Sequence, residues 1–202
     1  MTQRILLLNA PPEAGKDTAA DYLAPLVPDS FQFKMSQPLK DAVRAIFSLT
    51  DAEYDLCEAN KGSPLPLLLN HSFRNWQIDI SESLVKPRGG SAAFGYLAHR
   101  KLSRRNESVL ISSDTGFDDE VTPLLPLCMR ADGTLDVVLV HIYRPGKDFS
   151  KDSRNYIQIP GVTPIRIDND QGTAEYYEKL RQVILPLLLA PIDHIGMATQ
   201  AA

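Results

Sequence analysis

Apolar positions along the chain gather into five short runs, Arg4 to Asn9, Phe31 to Met35, Ser108 to Ser113, Asp136 to Tyr143 and Thr163 to Ile167. Their length and aliphatic make-up predict strands, and all but the second are apolar enough for burial on both faces. Between them the period changes to that of helices. Thr18 to Leu26 predicts a first helix and Pro38 to Phe47 a second, with Leu39, Val43, Ile46 and Phe47 on one face; Asp51 to Glu58 reads as a short acidic helix. The stretch from Lys61 to Asn75 opens as a loop, carrying Gly62, Pro64 and Pro66. Ser91 to Arg104 is helical again, with Phe94, Leu97, Ala98 and Leu102 as its inner stripe, and Thr173 to Leu185 closes the pattern behind a Thr173 cap. Strands separated by crossover-length helical stretches predict an α/β fold in three layers, a five-stranded parallel sheet between two sets of helices.

At 202 residues the chain can bury a core on both faces of one sheet, so residues 1–190 are read as a single domain and residues 191–202 as a flexible tail. The net charge of -4 removes the broad attraction of an unspecific nucleic-acid binder, although local basic patches remain available. Cys57 and Cys128 fit no metal-ligand spacing, as expected of reduced thiols in a cytoplasmic protein. The first residues read as a strand and not a leader, and the apolar run Val183 to Leu189, interrupted by Pro186, is too short to span a bilayer. No membrane partner is expected.

The first run leads directly into Ala10-Pro11-Pro12-Glu13-Ala14-Gly15-Lys16-Asp17-Thr18. A strand that ends in a small-residue turn and opens a helix aims several backbone N–H groups at one point, where the helix dipole adds positive potential. Polyphosphate is the natural occupant. The usual pattern, G-x-x-x-x-G-K-[ST], gives the lysine to the terminal phosphates and the hydroxyl to magnesium. Ala10 replaces its first glycine, and Asp17 stands at the hydroxyl position with Thr18 behind it.

Ligands of open parallel sheets lie beyond the carboxyl ends of the strands, which directs attention to the polar residues there. Asp114, after the third run, is a candidate magnesium partner, or else an N-cap for the Asp118-Asp119-Glu120 segment; that acidic trio reads as helix-terminus charge. Arg144 and Arg154, after the fourth run, are placed to cover a transferring phosphoryl group, with Gly146 as a flexible point. Asn169, after the fifth, can offer its amide to adenine or form an ordinary turn. The middle segment carries Arg74, Trp76, Asp79, Glu82, Lys86 and Arg88, the wall, cations and carboxylates that an acceptor nucleotide requires, with Asp79 or Glu82 as the base or else as ordinary surface carboxylates, and Trp76 as wall or as core.

Taken in order, the chain resembles the tailed-phage deoxynucleoside monophosphate kinases, a branch of the P-loop nucleotide kinases. The resemblance rests on Gly15-Lys16-Asp17-Thr18, Ser36-Gln37-Pro38-Leu39-Lys40, Val85-Lys86-Pro87-Arg88-Gly89 with Phe94-Gly95, and Ile167-Asp168-Asn169-Asp170. It implies an ATP- and magnesium-dependent kinase. Ala14, Gly15, Lys16, Asp17, Thr18 and Asn169 would hold ATP, and Asp17, Thr18 and Asp114 the magnesium. Two positions depart from the pattern: Ala10 at the leading glycine, and Gly116, two after Asp114, where such kinases often show arginine. A related set of phage kinases acts on 5-hydroxymethyluracil within DNA, a step toward hypermodified thymine, and Arg100, Lys101, Arg104 and Arg105 could follow a DNA backbone. The expected partners are therefore a deoxynucleotide substrate, DNA as its alternative, and a second copy in a homodimer. A nucleotide-binding regulator and a dephospho-coenzyme-A-type kinase are the competing readings.

Overall fold

The computed structural model describes residues 2–150 and 152–192; from residue 193 onward the expected tail lies outside the described residues. The strands are β1 (Arg4–Asn9), β2 (Ser30–Phe33), β3 (Pro64–Leu65), β4 (His71–Ser72), β5 (Val109–Thr115), β6 (Val137–Tyr143) and β7 (Ile165–Asp168). The helices are α1 (Lys16–Leu23), α2 (Gln37–Ile46), α3 (Asp51–Ala59), α4 (Phe73–Asp79), α5 (Lys86–Gly89), α6 (Ala93–Leu102), α7 (Asp118–Val121), α8 (Thr173–Lys179) and α9 (Leu185–Leu189). Five of the strands make one sheet in the order β2-β5-β1-β6-β7, every pairing parallel, and β3 and β4 form a small antiparallel hairpin apart from it.

All five expected strands are present, and β1 is the central one. Side chains alternate across a strand, so Leu6 and Leu8 meet Ala19, Leu23, Tyr176 and Leu180 from α1 and the α8 end, while Ile5 and Leu7 meet Ala98, Leu102 and Leu124 on the other face. A third cluster of Val43, Leu49, Cys57, Leu68 and Phe73 joins α2, α3 and α4 into a lobe beside the sheet. Trp76 belongs to this lobe, edge-on to Phe47 at 5.1 Å and donating from Nε1 to the Leu68 carbonyl at 3.0 Å. Ile46 and Leu97, expected on inner faces, are 59% and 42% exposed.

The middle of the chain is more helical than its composition suggests. Ser72 caps α4 by accepting from the Asn75 N–H at 3.1 Å, and the chain continues through a π-type turn (Ile80–Val85) into α5. A second π-type turn (Leu180–Ile184) precedes α9 and places Pro186 in that helix's first turn, where its missing N–H costs nothing. The closing helical segment therefore runs on to Leu189 instead of stopping at Leu185. Among the described residues no helix is long and apolar enough to cross a membrane.

Arg4 ties the start of β1 to both ends of this framework. Its guanidinium pairs with buried Asp136 at 2.5 and 3.1 Å and donates to the carbonyls of Leu187 and Ala190 at 2.7 and 2.6 Å. Removing one member of a buried pair strands the other charge. Asp136→Ala should therefore lower the unfolding free energy by roughly 3–5 kcal/mol. Urea melts check this; a loss below about 1 kcal/mol, the level of a surface pair, would contradict it.

Candidate active site

The Ala10–Thr18 loop springs from the C-terminal end of the central strand. Its left-handed turns fall at Glu13 (φ 61°) and Gly15 (φ 104°). Ala10 keeps ordinary backbone geometry, and its methyl packs into the core at 1% exposure, which explains why alanine serves there. A Cβ on Gly15 would approach the Asn169 amide nitrogen to 2.6 Å. Lys16 is 8% exposed and its ammonium donates back to the Pro11 carbonyl at 3.3 Å, so it lies inside the loop. Burial, aided by the nearby Arg154 charge, holds the Lys16 pKa below its ordinary value.

A bulge shapes the neighbouring strand tip. The register of β1 against β5 passes from Leu7–Ser112 to Asn9–Thr115, so β5 carries one extra residue. Ser113 then donates to Asp17 at 2.8 Å, and Asp17 also pairs with Lys34 at 2.8 Å. Burial pulls the Asp17 carboxyl upward, but the hydrogen bonds from Lys34 and Ser113 outweigh it and its pKa is lowered. Asp114 turns toward the β2–α2 junction. One oxygen accepts from Met35 N at 2.8 Å and Ser112 Oγ at 3.2 Å, the other from Ser36 N at 2.9 Å and Ser36 Oγ at 2.7 Å. A carboxylate has about four acceptor sites. All four are used, so Asp114 clamps the start of α2, and α7 takes no side-chain cap from it.

Asn9 does equivalent work on the other side. Its amide donates to the carbonyls of Thr115 and Asn155 at 2.9 and 3.1 Å and accepts from Ile157 N at 2.9 Å. The Arg154 segment is thereby held against the β1 tip. The Arg154 stem lies across Gly116, where a Cβ would come within 2.3 Å of its Cδ. The space that a side chain at position 116 would need is thus filled by the Arg154 stem. The Arg154 guanidinium pairs with Asp152 at 2.8 Å and acts electrostatically on Lys16, Asp114 and Glu120.

Arg144 lies on the opposite shoulder, donating to the Glu13 carbonyl at 2.9 Å, while Lys147 pairs with the Glu13 carboxylate. Their loop is anchored by Tyr156, which stacks on Tyr143 at 4.6 Å and donates to the Ile142 carbonyl at 2.9 Å. Asn169 donates to the Ala14 carbonyl at 3.0 Å, and the Tyr176 hydroxyl to the Gly15 carbonyl at 3.1 Å. These residues enclose a cavity of about 290 Å³, bounded by Gly15, Thr18, Arg144, Asn169, Thr173 and Tyr176. Cations also come from the helical lobe: Lys61 acts on Lys16, and Arg74 on Glu13 and Asp152.

The acceptor-side carboxylates lie on the surface. Asp79 is exposed, and Glu82 is exposed and engaged with Lys86 at 2.9 Å and Ser81 Oγ at 2.9 Å. Glu120, read from sequence as terminal charge, is 6% exposed and close to Lys86, Asp114, Arg154 and Glu82. Its backbone packs closely on α6: a Cβ on Gly95 would meet the Glu120 backbone carbonyl oxygen at 2.1 Å. Arg105 and Lys101 stand over the Phe31 ring at 4.0 and 5.7 Å, near the starts of β2 and β5. A helix returning along a parallel sheet ends where the next strand begins, so this basic cluster lies at the opposite end of the sheet from Lys16.

No protein-family model and no curated protein matches the chain. Among solved structures it is similar to the tunicamycin resistance protein of Deinococcus radiodurans, at 13% identity and a TM-score of 0.33, over 98% of this chain and 90% of that one. The fold resembles that of P-loop kinases. That statement stands on the sheet order, the central-strand loop and its lysine.

Burial raises the Glu120 carboxyl to about 7 from 4.5, against the pull of Lys86 and Arg154. As pH rises through this interval the unfolded chain releases its proton first, so the folded state loses relative stability and does not recover it above pH 7. Glu120→Gln should be more stable than the natural chain by roughly 3 kcal/mol at pH 8 and nearly equal to it at pH 4. Urea melts at the two pH values decide; the same difference at both would contradict the assignment.

Proposed function

We propose that the chain is an ATP- and magnesium-dependent phosphotransferase that moves the γ-phosphoryl group of ATP to a deoxypyrimidine acceptor. The acceptor is either a free deoxynucleoside monophosphate or the hydroxymethyl group of 5-hydroxymethyluracil in phage DNA. The observation that carries this reading is the convergence of cations from separate elements on one amide-lined loop. Lys16 lies within it, Arg144 and Lys147 come from the β6 side, Arg154 from the β1–β5 side, and Lys61 and Arg74 from the helical lobe. Phosphoryl transfer places its largest charge on phosphate oxygens, which such a collar is suited to receive.

In this reading Lys16 and the N–H groups from Ala14 to Thr18 bind the β- and γ-phosphates. Arg154, held by Asn9 and Gly116, faces the transferring group, and Arg144 closes the donor side above the cavity. Asn169 keeps its carbonyl oxygen available for an amino group on the base while its nitrogen is tied to Ala14. Magnesium, when bound with ATP, would supply charge neutralisation for the phosphates. The Thr18 hydroxyl and Asp17 would hold it, while Asp114 fixes the start of α2. Lys101 and Arg105 lie near the starts of β2 and β5, away from Lys16, so a DNA acceptor would have to be held by other groups.

Labelled ATP with magnesium, offered dTMP, an oligonucleotide containing 5-hydroxymethyluracil, and dephospho-coenzyme A, tests the proposal. Label should pass to the first or second, and Lys16→Met should lower kcat/KM by at least about 100-fold, the scale of losing one charged transition-state contact. Tight ATP uptake without transfer to any acceptor would support the regulator instead.

A further inference from the structure

Glu120 stands apart from every other carboxylate near the loop. It is 94% removed from solvent, yet among the described residues its side chain makes no hydrogen bond and no ion pair, and its oxygens are not sealed off from solvent. Asp17 and Asp114 are engaged by direct hydrogen bonds, Asp152 by Arg154, and Glu82 by Lys86 and Ser81. A buried carboxyl left unpaired is costly unless something else uses it. Its surroundings are charged and mixed: Lys86 from α5, which also stands over the Phe117 ring at 4.7 Å, Glu82 from the π-type turn, Asp114 from β5, and Arg154 from the loop after β6. Arg154 acts electrostatically on both Glu120 and Lys16, which ties the free carboxyl to the charges gathered at the loop, and α7, which bears it, begins three residues beyond the end of β5.

We infer that Glu120 is the general base of a hydroxyl acceptor, and that the nucleophile phosphorylated at this site is an alcohol and not a phosphate. This rests on the proposed phosphotransfer and narrows its acceptor. The acceptor O–H bond breaks, with its proton passing to the Glu120 carboxylate, while the acceptor oxygen bonds to the γ-phosphorus. The bond from that phosphorus to the β–γ bridging oxygen breaks, its electron pair leaving with ADP, and Glu120 then returns the proton to water. A nucleoside monophosphate is already ionised at neutral pH and needs no such group. Lys86 and Arg154 keep Glu120 partly ionised despite its burial, and the small Gly95 permits the backbone of α7 to approach α6 closely.

Transfer from labelled ATP is measured to thymidine, to 5-hydroxymethyl-2′-deoxyuridine, to an oligonucleotide containing 5-hydroxymethyluracil, and to dTMP, for the natural chain and for Glu120→Gln and Glu120→Asp. At least one alcohol should accept, with kcat/KM rising as pH increases to a plateau whose midpoint lies near 7, the value toward which burial moves this carboxyl. Glu120→Gln should lose about 100-fold or more and flatten that profile, with partial recovery in Glu120→Asp and ATP affinity changed less than about twofold. Which alcohol responds separates a free nucleoside from DNA. Transfer to dTMP alone, or an unchanged pH profile in Glu120→Gln, would overturn the inference while leaving the phosphotransferase intact. Transfer to none of the four would remove the phosphotransferase reading itself.

Discussion

The site is organised around an ammonium group that, among the described residues, has no ion pair of its own. Lys16 is buried, bonded to one backbone carbonyl, and close to Arg154, while its nearest carboxylates, Asp17 and Asp114, are engaged elsewhere. Like charges gathered in a partly desolvated space raise the free energy of the ligand-free protein, and an anion with several oxygens relieves all of them together. Binding and charge arrangement are therefore one problem. The fold solves it by drawing the cations from the loop itself, from the β6–β7 connection and from the helical lobe, so that no single helix bears the repulsion.

Holding those cations requires a fixed polar frame, and most of it comes from short polar side chains at strand ends. Asn9 fixes the Arg154 segment, Asp114 fixes the start of α2, and Asn169 fixes the β7–α8 turn to the loop itself. Two glycines act by what they lack. Gly116 leaves a channel for the Arg154 stem, and Gly95 lets the backbone of α7 approach α6 closely at Glu120. The parallel sheet supplies the frame, because its central strand delivers the loop at the edge where β5, β6 and β7 also end.

The strands and the loop were legible from sequence because each is written in consecutive residues: the apolar run Ile5 to Leu8 and the small-residue turn into Lys16 lie within a dozen positions. The roles of Asp114 and Glu120 were not. Asp114 changes direction through a one-residue bulge in β5, which depends on pairing with β1. Glu120 looks like one of three helix-end acids, yet it is buried where Asp118 and Asp119 are exposed, and its backbone packs on Gly95, twenty-five positions earlier. Arg154 was legible as a cation but not as the occupant of the space over Gly116. The helix after Ser72 was hidden by the turn residues before it, although Phe73, Trp76 and Ile80 have helical spacing.

Calorimetric titration of the intact protein with AMP, ADP and ATP, each with magnesium and at low and high salt, tests the charge arrangement most directly. Affinity should climb with each added phosphate, and the advantage of ATP over AMP should shrink as salt screens the exposed members of the collar. Equal affinity for AMP and ATP, or no uptake of either, would contradict a loop built to receive polyphosphate.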